Sequence, residues 1–395
     1  MAIDAGPTTT GEAGTTAEAP VAAPDARRQD KEAEIFVASQ WQLMWWRFRK
    51  HKVALASAVV IILIYAVAVF AEFLAPFPSG KYEANYTYAP PQRLHLLDSS
   101  EGSTRFRPHV NGYKVEIDQA ALRRTFAVDP ESIIDVRFFA KGEPYKILGL
   151  IEWDRHLIGP TDPTQPMYIL GADRLGRDLL SRIIYGTRVS MSIGLVGVTL
   201  SLVFGVILGG LSGYYGGSVD NLIQRSIEFI RSVPSIPLWL GLAAALPPNW
   251  SPLRTYFAIT VILSVIGWTG LARVVRGRFL SLREEDFVMA AKLDGASERS
   301  IIFKYMLPSF HSHIIASITL AIPGMILAET ALSFLGLGLR PPVVSWGVLL
   351  QEAQNVRAVA TAPWLLLPAV AVIVSVLTLN FFGDGVRDAA DPYGR

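Results

Sequence analysis

Cysteine is absent from all 395 residues, which excludes disulfides, thiolate metal sites and cysteine nucleophiles in whichever compartment a segment lies. Charge is scarce: Asp, Glu, Lys and Arg make up 18% of the chain, lean for a soluble surface of this length. A net charge of +2, with no basic run interleaved with aromatics, excludes a nucleic-acid partner. No Gly-x-x-x-x-Gly-Lys-Ser/Thr occurs, so the chain has no phosphate-cradling loop of that kind. It has neither a Gly-x-Ser-x-Gly elbow nor a His-Glu-x-x-His pair. His311 and His313, two apart on a helix, point in different directions and read as solvated side chains at a helix start, not as metal ligands. The chain is therefore not expected to be an enzyme, to bind metal or to carry a cofactor of its own.

Apolar residues are abundant, and the mean hydropathy is positive at +0.34. Five uncharged runs reach or approach the roughly 20 residues that cross a bilayer as helix: Val53–Ala71, Val189–Val219, Thr255–Ala272, Tyr305–Ala328 and Ala358–Gly383. A sixth, Ser232–Leu253, is broken by prolines. The expected fold is an all-α polytopic membrane protein of six transmembrane helices. Lysine and arginine set its orientation. Arg47, Arg49, Lys50 and Lys52 precede the first span, Arg225 and Arg231 open the third, and seven cations crowd residues 273–304, so both termini are expected in the cytoplasm. The stretch carrying Arg174, Arg177, Arg182 and Arg188 resists this assignment, although long loops translocate largely regardless of charge.

Residues 1–34, rich in Ala, Thr and Pro without an apolar core, predict a disordered cytoplasmic tail and not a secretory signal. Residues 35–52, with Trp41, Trp45, Trp46 and Phe48 among cations, read either as an interfacial amphipathic helix touching lipid or as an aromatic flank of the first span, 53–75. Residues 76–168 turn soluble in composition and predict a small, mostly β extracytoplasmic insert, with hairpin turns at Asn111-Gly112 and Lys141-Gly142 and a short helix over "DQAALRRTFA". Shielding is preferred over binding as its role. A transmembrane core, 169–388, and a cytoplasmic C-terminus, 389–395, complete the chain.

Small residues recur every four positions along the second span, at Gly197, Ser201, Gly205, Gly209, Gly213 and Gly217, as a helix-packing stripe, read first as packing within the chain and second as a seam between subunits. Arg225, Glu228 and Arg231 are spaced for Arg225–Glu228 and Glu228–Arg231 pairs; with Glu329 they are candidates for a pathway or gate, read first as interfacial charges near span ends. Between the fourth and fifth spans, residues 281–309 form a polar knuckle. Ser281 and Glu284 spell a capping box for a helix through Phe287, Met289, Ala290, Ala291 and Leu293; Gly295 suits a left-handed closure; Ser297 caps a second short helix, and Pro308 announces the next span. On these features alone the knuckle is equally an interhelical loop or a helix displayed for a partner's groove.

"MAAKLDGASERSIIFKYMLP" resembles the coupling loop of ABC importer permeases: Ala290, Ala291, Gly295, Leu307 and Pro308 stand at the matching places, while Met289 replaces the usual glutamate and Tyr305 a common isoleucine. "WRFRKHKVALAS", "LGADRLGRDLLSRIIYGTRVS", "ETALSFLGLGLRPPVVSWGVLL" and "NFFGDGVRDAADP" are similar to successive segments of the dipeptide/oligopeptide (nickel) C-type permeases, and the long insert resembles a long-loop subgroup. The resemblance implies a type I importer fold in a bacterial inner membrane and a half-pore for peptides. The implied partners are a homologous second permease chain, two ATPase subunits holding ATP and Mg, and an extracytoplasmic substrate-binding protein. Phe287, Met289, Ala290, Ala291, Leu293, Gly295, Leu307 and Pro308 are then the ATPase-coupling residues, and Arg174–Arg188 an outside element whose cations meet headgroups. Oligosaccharides or glycosides are alternative cargo; an ATP-independent secondary transporter or a membrane-tethered enzyme are alternatives of another class.

Overall fold

A computed structural model describes residues 39–98, 105–119, 123–147 and 149–390. The expected tail at 1–34, the first residues of the interfacial segment and the last five of the chain lie outside the described residues. Helix α1, Gln40–Lys50, starts on a Ser39 capping box and exposes Trp41, Trp45 and Trp46 while Phe48 packs under Phe382, Ala54 and Ala389. His51 ends it and caps the next helix through Nδ1 on the Ala54 N–H (3.0 Å), so α1 and α2, Lys52–Val69, are separated by one residue.

Five described helices are long and apolar enough to cross a membrane. They are α2; α3, Leu179–Tyr215; α6, Pro252–Leu282; α8, His311–Phe334; and α9, Leu367–Ala390, preceded by a 3-10 turn from Pro363. The expected sixth span takes another form. Gly217–Ser232 is the amphipathic helix α4; Val233 and Pro234 break it, and α5, Ser235–Ala244, is 10 residues long, about 15 Å at 1.5 Å per residue. Neither piece alone covers a hydrocarbon core of about 30 Å. Conversely α3, at 37 residues, begins ten residues before its uncharged run because Asp178 caps it, accepting from the Ser181 N–H at 2.7 Å.

The small-residue stripe organises the bundle. A Cβ on Gly209 would stand 2.5 Å from the Ala272 carbonyl oxygen, and one on Gly213 2.7 Å from that of Arg276. Gly205 faces Leu271, Ser201 faces Gly267, and Gly197 meets Met325 of α8. Backbones of α3 and α6 thus approach at a distance that side chains would forbid, and all five positions turn inward onto this chain's own helices. Gly217 lies beyond the end of α3 with no neighbour within 4 Å of its would-be Cβ.

Between α2 and α3 lies an antiparallel sheet in the order β1 (His95–Asp98), β2 (Arg105–Asp118), β3 (Arg123–Ile147), β4 (Ile151–Pro160). Both predicted turns are strand interior. Asn111-Gly112 is a register shift between β2 and β3, where a Cβ on Gly112 would meet Ser132 Oγ at 2.4 Å; Gly142 lies against the His156 ring in the same way. The glycines serve close approach and bulges, not reversal. β2 and β3 pair up to Asp118 and Arg123, and the chain reverses again at Gly149, whose φ of +75° glycine adopts freely. The short helix expected over residues 118–127 is replaced by strand from Arg123 onward. Phe77, Val110, Ile134, Val136 and Met167 form the sheet's core, seating it beside the start of α3.

Candidate coupling site

The knuckle begins later than its capping signal indicates. Helix α6 continues to Leu282, so Ser281 sits in its last turn and cannot cap; the first knuckle helix, α7, is Asp286–Leu293, with extended Glu285 before it making no side-chain cap. Tertiary packing extends α6: Phe279, one turn from its end, is wholly buried against Phe310. Closure follows the glycine. Gly295 has φ +75°, the Ala296 N–H reaches the Ala291 carbonyl at 3.0 Å and that of Gly295 the Lys292 carbonyl at 3.1 Å, a Schellman arrangement. Ser297 caps Glu298–Ser300, accepting from the Ser300 N–H at 3.4 Å. A π-type turn over Ile301–Met306 leads through Leu307–Ser309, with Pro308, to α8.

Two side chains of α7 face inward. Val288 and Ala291 pack with Val275, Phe279, Ile301, Met306, Phe310 and Ile314. Phe287, Met289 and Leu293 are 41%, 48% and 87% exposed, and Ala290 beside them is exposed as well; Leu307 is half-buried and Pro308 exposed. A helix of two turns thus anchors itself by one narrow edge and leaves a larger apolar face without a partner among the described residues.

Polar tethers join the knuckle to neighbouring helices, and the sequence reading missed them because they link residues far apart. Tyr215, closing α3, donates to Glu298 at 2.8 Å, and Lys292 lies 6.0 Å from the Tyr214 ring centre. Arg276 donates to both carboxylate oxygens of Asp220 in α4, at 2.5 and 2.6 Å, and Ser212 Oγ donates to the same group. The first tie joins the knuckle to α3, and the second clamps α4 to α6, the helix that leads into the knuckle. Farther along α4, Arg225 pairs with Glu228 at 2.8 Å, both exposed, whereas the pair expected between Glu228 and Arg231 does not form. His311 is not a solvated histidine: its ring lies 5.0 Å from that of Trp41.

At the opposite end of α3 charge is enclosed. Glu329, expected at an interface, is wholly buried. Ser333 and Ser345 hydroxyls donate to its Oε1 at 2.8 and 2.7 Å, and Ser190 reaches Oε2 at 3.5 Å. Each serine oxygen also accepts a backbone N–H, from Leu339, Val348 and Trp346 respectively, which commits its proton to the carboxylate. The arginines before the second span do not meet headgroups as a set. Arg177 and Arg182 converge on buried Asp173, and Arg188 clamps Glu72 with two bonds of 2.5 Å. Burial without a cationic partner pushes the Asp178 carboxyl up to about 6, and burial likewise raises that of Glu352, whose Oε1 accepts the Arg174 N–H at 2.8 Å. Apart from Asp173–Arg177 and Glu329–Ser333, each four residues apart, most of these partners are brought together only by helix packing. Among the described residues no group of three or more His, Asp or Glu side chains is arranged to hold a metal.

Comparison with known proteins agrees with this architecture. Residues 202–393, which hold the knuckle, match the family described as binding-protein-dependent transport system inner membrane component. Residues 39–91 match the N-terminal TM domain of oligopeptide transport permease C. The dipeptide transport system permease protein DppC of Lactococcus lactis subsp. cremoris is 33% identical over 355 residues, 90% of this chain and 91% of that protein. The oligopeptide transport system permease protein OppC of Haemophilus influenzae is 38% identical over 245 residues, 62% of this chain and 76% of that one. Among solved structures, an inward-facing methionine ABC transporter, MetNI, aligns with 53% of this chain and 96% of its own at 18% identity and a TM-score of 0.42. With both halves of the helical region matched and a relative aligned almost end to end, the chain belongs to the family of binding-protein-dependent transport system inner membrane components, in its dipeptide and oligopeptide permease C branch.

Proposed function

We propose that the chain forms half of the pathway of a type I importer for dipeptides or oligopeptides, driven by ATP hydrolysis on partner subunits that grip the knuckle. The supporting observation is the apolar face of α7, with Phe287, Met289, Ala290 and Leu293 exposed beside a tethered anchor. Seven cations between Arg273 and Lys304 favour the cytoplasm for this end, with residues 1–34 and 389–395 on the same side and the sheet outside as a shield. Peptides are the cargo that the names of its relatives support. A second permease chain completes the pathway, a binding protein delivers substrate, and ATP and Mg reside on the ATPase subunits.

Mechanically, closure of the ATPases shifts the pore only through a contact whose free energy differs between its two states. The knuckle supplies that contact; Tyr215–Glu298 ties it to α3, and Asp220–Arg276 clamps α4 to α6, which leads into it. The test is Leu293→Asp in the reconstituted assembly. This side chain is almost fully exposed, so the fold should change by no more than about 0.5 kcal/mol. ATPase subunits should then fail to co-purify with the permease pair, and peptide uptake should be lost. Retained co-purification with full uptake would refute the assignment.

A further inference from the structure

At the end of α3 away from the knuckle, a cavity of about 550 Å³ is bounded by four arginines, Arg174, Arg177, Arg182 and Arg340. Arg177 and Arg182 are answered by Asp173, and Glu352 is the only carboxylate among the described residues of the wall, so positive charge there is in excess by two. Even that carboxylate is already engaged, since the Arg174 backbone N–H and the Tyr88 phenol both bond to it. Arg182 is 3% exposed and its Nε has no hydrogen-bond partner, an incompletely satisfied cation fixed deep in the wall. Arg174 and Arg340 hold exposed guanidinium groups at the rim, and neither forms an ion pair among the described residues. Such an arrangement, with low-dielectric walls, concentrates anions. Planar guanidinium forks match a carboxylate bidentately.

A second cavity, of about 270 Å³, adjoins the first across Arg340 and Pro341 and is lined by Leu246, Pro247, Trp250 and Pro342. The first cavity, within the volume range of small-ligand sites, has room for a carboxylate and the peptide groups before it, and the second has room for one apolar side chain. A flat protein surface would not enter such a concavity. We propose that these two cavities receive the C-terminal residue of an incoming peptide, its free carboxylate between Arg174 and Arg340 and its side chain against Trp250 and the prolines. The assignment rests on the peptide reading above and adds to it a preference for an unblocked C-terminus.

The test uses the complete transporter in proteoliposomes with its binding protein and two peptides of one sequence ending in an apolar residue, one a free acid and one a C-terminal amide. Uptake is scored at equal occupancy of the binding protein; if that protein refuses the amide, the two peptides are compared as competitors for the assembly without it. Wild type should favour the free acid by about tenfold, and Arg174→Gln with Arg340→Gln should abolish that preference by loss on the acid alone. Arg340→Lys, which keeps the charge but not the fork, should restore part of it. Equal loss on both peptides, as for an anionic lipid or a docking acid of the binding protein, would overturn the site while leaving peptide transport standing. Wild-type uptake of neither peptide would overturn the peptide reading and this ligand with it.

Discussion

The two ends of α3 solve the problem of charge near a membrane in opposite ways. At the knuckle end the chain leaves apolar side chains uncovered on α7 and holds that helix by two buried residues and a few tethers. At the sheet end three buried acids are answered internally, Asp173 by two arginines, Glu72 by Arg188 and Glu329 by three serines, while Arg174 and Arg340 stay open at the cavity rim. An end that satisfies its polar groups internally is a self-sufficient scaffold. An end that leaves an apolar face open requires another molecule to cover it.

Substitutions should therefore fail differently at the two ends. The largest effect is expected from Asp173→Ala, which strands Arg182 in a buried site; breaking such a pair costs about 3–5 kcal/mol, read as a collapse in yield and thermal midpoint of the purified complex. Glu329→Ala should follow, since it leaves the hydroxyls of Ser190, Ser333 and Ser345 without their acceptor, at about 1–3 kcal/mol for a buried donor left unmade. At the other end Gly295→Pro, impossible at φ +75°, should leave the midpoint of the permease pair nearly unchanged while ATP hydrolysis and uptake come apart. If Gly295→Pro unfolds the complex as Asp173→Ala does, the contrast between the ends is lost.

The smallest effect concerns pH. Burial raises the Asp178 carboxyl to about 6 from an ordinary value of 3.8. Its neutral form stabilises the fold fully below about pH 3.8, and that contribution is lost as pH rises through about 6. The thermal midpoint should accordingly fall between about pH 4 and pH 6 and level off above, and Asp178→Asn should flatten that dependence. An unchanged slope in the variant would remove Asp178 from the account.

Legibility followed the range of the interaction. Gly295, Ser297 and the four-residue spacing from Gly197 to Gly213 were readable because each acts within a turn or along one helix face. Asn111-Gly112 and Ser281–Glu284 misled for the complementary reason. Strand pairing with β3 continues through the first, and packing of Phe279 carries α6 through the second, so a local preference was overridden by a distant contact. Glu329 had little local signal, because two of its three serines come from α3 and the segment beyond α8.

The order of residues by itself determined a membrane-spanning helical chain, the place of the knuckle and of the sheet, and the absence of thiol chemistry, since hydropathy, spacing and composition are properties of single segments. Tertiary structure alone decided that α6 runs on to Leu282, which arginines are neutralised and by whom, and which face of α7 is left open. Each of these depends on the free energy of bringing together groups that lie up to more than a hundred residues apart, as Glu72 and Arg188 do, and no one segment encodes that.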